Sequence, residues 1–552
     1  GVSAGGSSAT SRGAEAIIVP AANNTTEGNI ITVRANNVTI DGFKLDGDNT
    51  SLGGGRSLNG ADVNAGRGIS NGNDLPVNNF TVIQNLTVKN NIITNLNRFG
   101  VVLYSPAGTL MDGNIITNNR FDNMSSGNPN ARAVYLLNNV YADVTNNYIT
   151  RALIGVQIQP QSSTTLGTRT NISNNTIESY FFGIWHNPVT ANNATYTIAN
   201  NNLSASDYTS WSVPGDSFVN SIKTNPLASP NGNTGIMLSS VTGNTSVNLN
   251  NNNVSGSRSG IQAWRITTSG TAQITGGTLS NNQYGILFYN VDPNFGDAGA
   301  GQSTLNVNGV TVQNSTRTGV QTQYNSTLVN RQLTLNIQNS TLSNNTTGLA
   351  VIGGTVMANG ATINIGSNNT ITGGNVGLLI DGSGSALTGL TINNTSFSGQ
   401  TSRFIALTNN ALDNQRIDAS AAKFNNVSGQ NLTLAQYNIV QSGLNHELND
   451  STLGLICLNS SCAPPAAPVV VTPTTTTTTS LTLTADTLTR LEREWEKVEC
   501  IYESGFSRSY DPNLRRGYEC DRLWRWASPN RAIILLNQNE SPVIKPEVRN
   551  RE

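Results

Sequence analysis

The chain has 552 residues, of which 11% are charged and 36% hydrophobic, and its formal net charge is −1. A disordered chain this poor in apolar residues would normally carry a high net charge, and a nucleic-acid or anionic-membrane binder would be basic; the composition fits neither. No apolar run is long enough for a helix that spans a bilayer, and the start at Gly1 without a signal-like core reads as a processed or excised product.

Taken in chain order, the first motif is Val38-Thr39-Ile40-Asp41-Gly42-Phe43, a short alternating strand followed by a turn. Asp41, Asp46 and Asp48 then gather beside Lys44. Spaced two apart, Asp46 and Asp48 share a face if they lie in one strand, where they could bind Ca²⁺ or act as an acid/base pair. The plainer reading is a polar turn. This trio is the one metal candidate, and Ca²⁺ the one candidate cofactor.

A repeat follows. Asn-Asn-x-apolar starts at Asn90, Asn118, Asn146 and Asn174, each 28 residues after the last. Gly-apolar-x-apolar alternates with it, starting at Gly100, Gly155, Gly183, Gly235, Gly260, Gly285, Gly319, Gly348 and Gly377. Ala133-Val134-Tyr135-Leu136 and Phe404-Ile405-Ala406-Leu407 fill the same slot without glycine. A third type of short strand, such as Phe80-Thr81-Val82-Ile83, intervenes. Period-two alternation over three to five residues marks strands, not helices. A unit this short cannot bury a core alone, but stacked units can. The expected fold is all-β, a single-stranded right-handed parallel β-helix (solenoid) of about a dozen coils at about 4.8 Å each. Asparagine tolerates the left-handed backbone of a tight corner and its amide can bond to the next rung. Glycine opening a strand is expected to serve the same corner geometry.

Departures from the repeat cluster. Segments 47–67, 122–132 and 203–233 follow an asparagine strand and should leave from one corner; 159–170, 289–302 and 323–331 follow a glycine strand and should leave from another. Such loops are often functional, although drift at solvent-facing turns gives the same pattern. Trp185, Trp264 and Phe288, on neighbouring glycine strands, could form an aromatic strip for sugar stacking or could simply pack. His186 falls where the repeat puts an inward apolar residue and reads as structural; His446 has no evident partner.

The β-helix is expected over 1–456. A Cys-containing Pro/Thr-rich linker, 457–484, includes Thr474 to Thr479 and cannot build a core. A small charged C-terminal segment, 485–552, carries Leu488, Leu491, Trp495 and Val498 at the spacing of an amphipathic helix over 485–499, then an apolar strand-like run from Ala532 to Leu536. Cys457, Cys462, Cys500 and Cys520 have spacings that fit no common zinc pattern, so disulfides are expected in a secreted protein. Local pairing, Cys457 with Cys462 and Cys500 with Cys520, suits the intervening linker; a cross-link to the tail or to another chain is the alternative.

Residues from about 15 to 455 resemble the right-handed β-helix repeat proteins of the pectate-lyase-like superfamily. The Val38 to Phe43 segment is close to the opening common in bacterial members. Ile417-Asp418-Ala419 through His446 to Leu453-Gly454 is similar to the closing coil of β-helix modules in large bacterial surface proteins, with Phe424-Asn425-Asn426-Val427 where those usually carry Trp-Gly after the asparagine. Enzymes of the superfamily carry Asn-Thr-Asp, Asp-Asp, Gly-His-Gly and Arg-Ile-Lys motifs, or Arg-x-Pro-x-x-Arg; none occurs here. No catalytic residue is therefore assigned. The resemblance implies an extracellular structural or adhesive protein at the cell surface, which self-associates into filaments or meets cell-envelope components through its C-terminal segment. The alternative is a carbohydrate-active enzyme or a glycan-binding, tailspike-like β-helix. Nucleic acid is not an expected partner, and no transmembrane segment is expected.

Overall fold

The structure, a computed structural model, describes residues 15–459 apart from 73–79, 107, 125–130, 161–168, 188–193, 225–232, 240, 242–243, 265, 267–269, 290–300, 325–330, 354–360, 382–388, 409–416, 446–455. The chain divides into two units, Gly1–Val471 and Thr472–Glu552; all described residues belong to the first. Most of the linker, the expected amphipathic helix, the Ala532–Leu536 run, His446, Cys462, Cys500 and Cys520 lie outside them.

The first unit is all-β with large parallel sheets. Twelve short strands, from Thr39–Asp41 to Gly389–Ile392, form one parallel sheet in strict order of coils. Every strand offers at least one apolar residue to the interior, because alternate side chains face opposite ways. The register lines these up as Ile40, Val88, Ile116, Val144, Ile172, Ile198, Leu249, Ile274, Val307, Ile337, Ile365 and Ile392. All of them are buried.

The asparagine and glycine strands make two further stacks. They merge into one sheet because Tyr148–Gln159 and Thr176–His186 run unbroken through both. In the asparagine stack the buried column runs Leu45, Ile93, Phe121, Ile149, Ile177, Leu203, Val254, Leu279, Val312, Leu342, Ile371, Phe397, Phe424. In the glycine stack it runs Ile69, Val101, Val134, Val156, Ile184, Ile236, Ile261, Ile286, Val320, Leu349, Leu378, Ile405. Val134 and Ile405 hold the same column as their glycine-led counterparts, so the two slots lacking glycine keep register. Almost all of these side chains join a single apolar cluster that runs through the coils.

The paired asparagines divide the work. The first of each pair takes the left-handed conformation, with φ of 54° at Asn90, 55° at Asn118 and Asn146, and 58° at Asn174. The second is buried and builds an axial ladder: each amide donates to the next side-chain oxygen from Asn91 through Asn119, Asn147, Asn175 and Asn201 to Asn252, at 2.9–3.1 Å. The backbone N–H of each rung donates to that same oxygen at 2.9–3.1 Å. The second amide hydrogen reaches a strand carbonyl, as Asn147 does to Ile116 at 2.8 Å. Each buried amide is thereby satisfied, which is the condition for burying it at all.

The glycine expectation is corrected. Gly155, Gly183, Gly260, Gly285, Gly319 and Gly348 are not among the residues with positive φ. Space, not backbone handedness, selects them. A Cβ on Gly155 would come within 2.5 Å of the Gly183 carbonyl oxygen, one on Gly183 within 2.5 Å of the Gly235 oxygen, and one on Gly285 within 2.5 Å of the Gly319 oxygen. The glycines sit one above another, each pressed against the backbone of the next.

Phe424-Asn425-Asn426-Val427 also gains a physical account. Asn425 and Asn426 have φ of 50° and 70° and connect Lys423–Phe424 to an antiparallel Val427–Ser428, the two-residue reversal that needs left-handed residues at both positions. The helix Leu434–Ser442 follows, started by a Thr433–Gln436 capping box.

Candidate functional site

The three carboxylates do not converge. Asp41 closes Thr39–Asp41 in the twelve-stranded sheet, whereas Asp46 closes Phe43–Asp46 in the other. Asp41 receives a hydrogen bond from Asn90 at 2.8 Å and faces Lys89 at 3.5 Å. Asp46 pairs with Lys44 at 2.8 Å and accepts from Asn95 at 2.8 Å and from the Asp48 backbone at 3.1 Å. Asp48 lies past the end of that strand, bridged to Val63, and accepts from the Asp62 backbone at 3.3 Å. The shared face expected of Asp46 and Asp48 is lost because the strand stops and the chain turns at Gly47. Among the described residues no group of three or more His, Cys, Asp or Glu is placed to hold a metal.

Trp185, Trp264 and Phe288 do not form one strip either. Phe288 faces inward and is fully buried, in register below His186, Leu238 and Ala263. His186 is likewise buried in that inward column, its ring edge-on to Tyr196 at 4.6 Å. Trp185 faces outward, donates to Ser239 Oγ at 2.7 Å and packs at 4.8 Å on Phe182. Trp264 and Trp185 both border a second apolar cluster built of Leu58, Leu153, Ile154, Tyr180, Trp211 and Met237 among others.

That cluster exists because the loops of one corner fold back over the outer face of the glycine strands. Asn59 exchanges hydrogen bonds with Ser212 at 2.8 and 2.6 Å and donates to Asn123 at 2.6 Å. Arg56 pairs with Asp216 at 2.9 Å. Trp211 stacks on Tyr180 at 4.3 Å, nearly parallel. Segments 47–67, 122–124 and 203–224 are therefore one assembly, and a cavity of about 330 Å³ opens between Thr25, Arg56, Ser57, Pro214 and Asp216. Its signal in the sequence was the concentration of Tyr208, Trp211 and Phe218 in a segment with no repeat, which must pack somewhere to leave water.

The outer face of the glycine strands carries cations and aromatics beside the carboxylates of Glu27 and Asp381. Arg132 is buried, with its guanidinium 4.4 Å from the Tyr135 ring and 5.7 Å from Phe99, and its Nε donates to Gln157. Burial lowers the Arg132 pKa to about 10, with the nearby Arg98 adding to the drop and Tyr135 opposing it; burial also pushes the Tyr135 hydroxyl up. Glu27 is engaged by both Arg67 and Arg98. Further along, Arg258 and Arg317 flank the Tyr284 ring at 5.7 Å, and Arg317 donates to its hydroxyl at 2.8 Å. Around this floor Arg98, Tyr104, Trp185, Trp264, Arg258 and Arg317 remain partly exposed. Guanidinium beside aromatic ring is a surface that stacks sugar rings and neutralises acidic groups.

Cys457 ends the short strand Ile456–Cys457, is buried, and pairs with Ile417–Asp418. No helix among the described residues is long and apolar enough to cross a membrane. Comparison with protein-family models, with curated proteins and with solved structures finds no match.

Proposed function

We propose that the stacked coils are a right-handed parallel β-helix of pectate-lyase-like type that acts outside the cell as an adhesive surface scaffold, making contact through the aromatic and arginine residues of its glycine strands. The observation that carries the reading is the set of uninterrupted buried columns, locked along their axis by the Asn91–Asn252 ladder. Such a ladder makes a stiff element that presents a long face. Of the described carboxylates on the glycine strands, Glu27 is held by two arginines and Asp381 is buried, so neither offers the exposed acid or base that glycan cleavage needs. Local disulfides, Cys457 with Cys462 and Cys500 with Cys520, belong to the same proposal, as does self-association through the C-terminal segment.

The full chain, immobilised on beads, should bind envelope polysaccharides, and Trp185→Ala with Trp264→Ala should lose that binding without loss of β-sheet circular dichroism. Release of reducing or unsaturated ends from the same glycans would make the protein an enzyme, and unchanged binding by the double variant would move the contact face elsewhere.

A further inference from the structure

The outward side of the asparagine stack changes character along the chain. In its early coils the two outward columns carry Lys44, Asp46, Arg120, Asp122 and Glu178. From Thr278 to Ser398 they carry no charge. Five consecutive strands, Thr278–Ser280, Thr311–Gln313, Thr341–Ser343, Thr370–Thr372 and Ser396–Ser398, pair in parallel without a register shift. Each holds one buried apolar residue between two partly exposed polar ones. One outward column reads Thr278, Thr311, Thr341, Thr370, Ser396; the other reads Ser280, Gln313, Ser343, Thr372, Ser398. Nine of these ten positions bear a hydroxyl.

Strand geometry spaces these hydroxyls by about 4.8 Å between coils and about 6.7 Å along each strand. We infer that this two-column hydroxyl lattice is a binding face for ordered water, namely the surface of ice. Three observations select that occupant. The face is uncharged, so it complements a neutral solid and offers nothing to an ionic partner. It has no outward aromatic ring in these five strands, the Phe397 ring being buried within, so it lacks the stacking platform that sugar rings use. Its repeat is fixed by backbone pairing, so water held by one coil is held in the same way by the next, and each bridging water adds at little entropic cost to an already ordered row. A threonine supplies both a hydroxyl that anchors a water and a methyl that excludes a disordered one. The inference uses a different face from the adhesive surface proposed above and stands apart from it.

The test is ice-affinity partition and inhibition of ice recrystallisation by the full chain, beside Thr311→Tyr and Thr341→Tyr in the lattice and Thr197→Tyr on the outward face of the twelve-stranded sheet. The native chain and Thr197→Tyr should enter the ice and keep crystals small; the two lattice variants should lose both effects. Should a tyrosine variant misfold by circular dichroism, Thr341→Lys, which keeps a long solvent-seeking side chain at the same half-exposed position, serves instead. Exclusion of the native chain from ice overturns the inference, as does equal partition of native and lattice variants. Loss of cellulose binding or of dimerisation in the lattice variants, with no ice effect in any chain, assigns the face to a polysaccharide or to a second copy and equally overturns it.

Discussion

Asn147→Ala is expected to destabilise the protein by about 3 kcal/mol, because it leaves one buried donor without a partner, at about 1–3 kcal/mol, and takes one of two hydrogen bonds from each of two further buried groups, at about 1 kcal/mol or less apiece. The orphaned donor is the Asn119 backbone N–H, which donates to Asn147 Oδ1 at 3.0 Å; the Ile116 carbonyl loses the 2.8 Å bond from Asn147 Nδ2 but keeps its place in the parallel pairing with Val144 and Thr145. Asn119 Nδ2 loses its 3.1 Å partner as well but keeps Val88. The neighbouring Asn146→Gly should move stability by less than about 1 kcal/mol, since glycine takes the left-handed corner without strain. Urea unfolding followed by far-ultraviolet circular dichroism measures both. Equal midpoints for the two variants would show that the ladder contributes nothing beyond the turn.

The glycine column sets the second large effect. Gly183→Val should cost about 3 kcal/mol or more, at the upper end of overpacking penalties. Its Cβ would stand 2.5 Å from the Gly235 carbonyl oxygen and 2.5 Å from Leu203 Cδ2, and the first of these is backbone that cannot retreat without breaking the pairing of Ile184 with Ile236. Ala133 and Phe404 fill this slot in two other coils, so the probe is placed at Gly183, where the Gly235 carbonyl and Leu203 crowd the position, and valine adds more than the single methyl of Ala133. Gly53, with nothing near its Cβ, should accept alanine with no measurable shift. The same urea titration reads both, and a neutral Gly183→Val would remove the close-approach explanation of the repeat.

The coils themselves were legible because alternation and period survive in one dimension: a central apolar residue every coil is enough to place Val101, Val156 and Ile286 in one column. Conformation at asparagine was legible too, since among the described residues twenty of the twenty-one non-glycine residues with positive φ are asparagine. What could not be read was which member of each pair turns and which is buried, because both have the same chemistry and only the coil decides. The glycine role was misjudged for a related reason. A residue without a side chain answers either to handedness or to crowding, and crowding comes from the next coil, some 25 to 50 residues away. The Asp41, Asp46 and Asp48 cluster dissolved because closeness in sequence became separation across two sheets once the chain turned at Gly42 and Gly47. The loop assembly on Tyr180 and Trp211 depends on contacts as distant as Asn59 with Ser212, which no local pattern carries.

Stacking in register implies that distance along the twelve-stranded sheet counts coils and ignores the residues between them. Spin labels on the outward column at Asn171 and Asn306, four coils apart, and at Asn171 and Asn364, six coils apart, in a chain without its native cysteines, should give separations of about 19 and 29 Å by pulsed electron resonance. Separations that scatter broadly, or that do not lengthen by two strand spacings between the pairs, would contradict it.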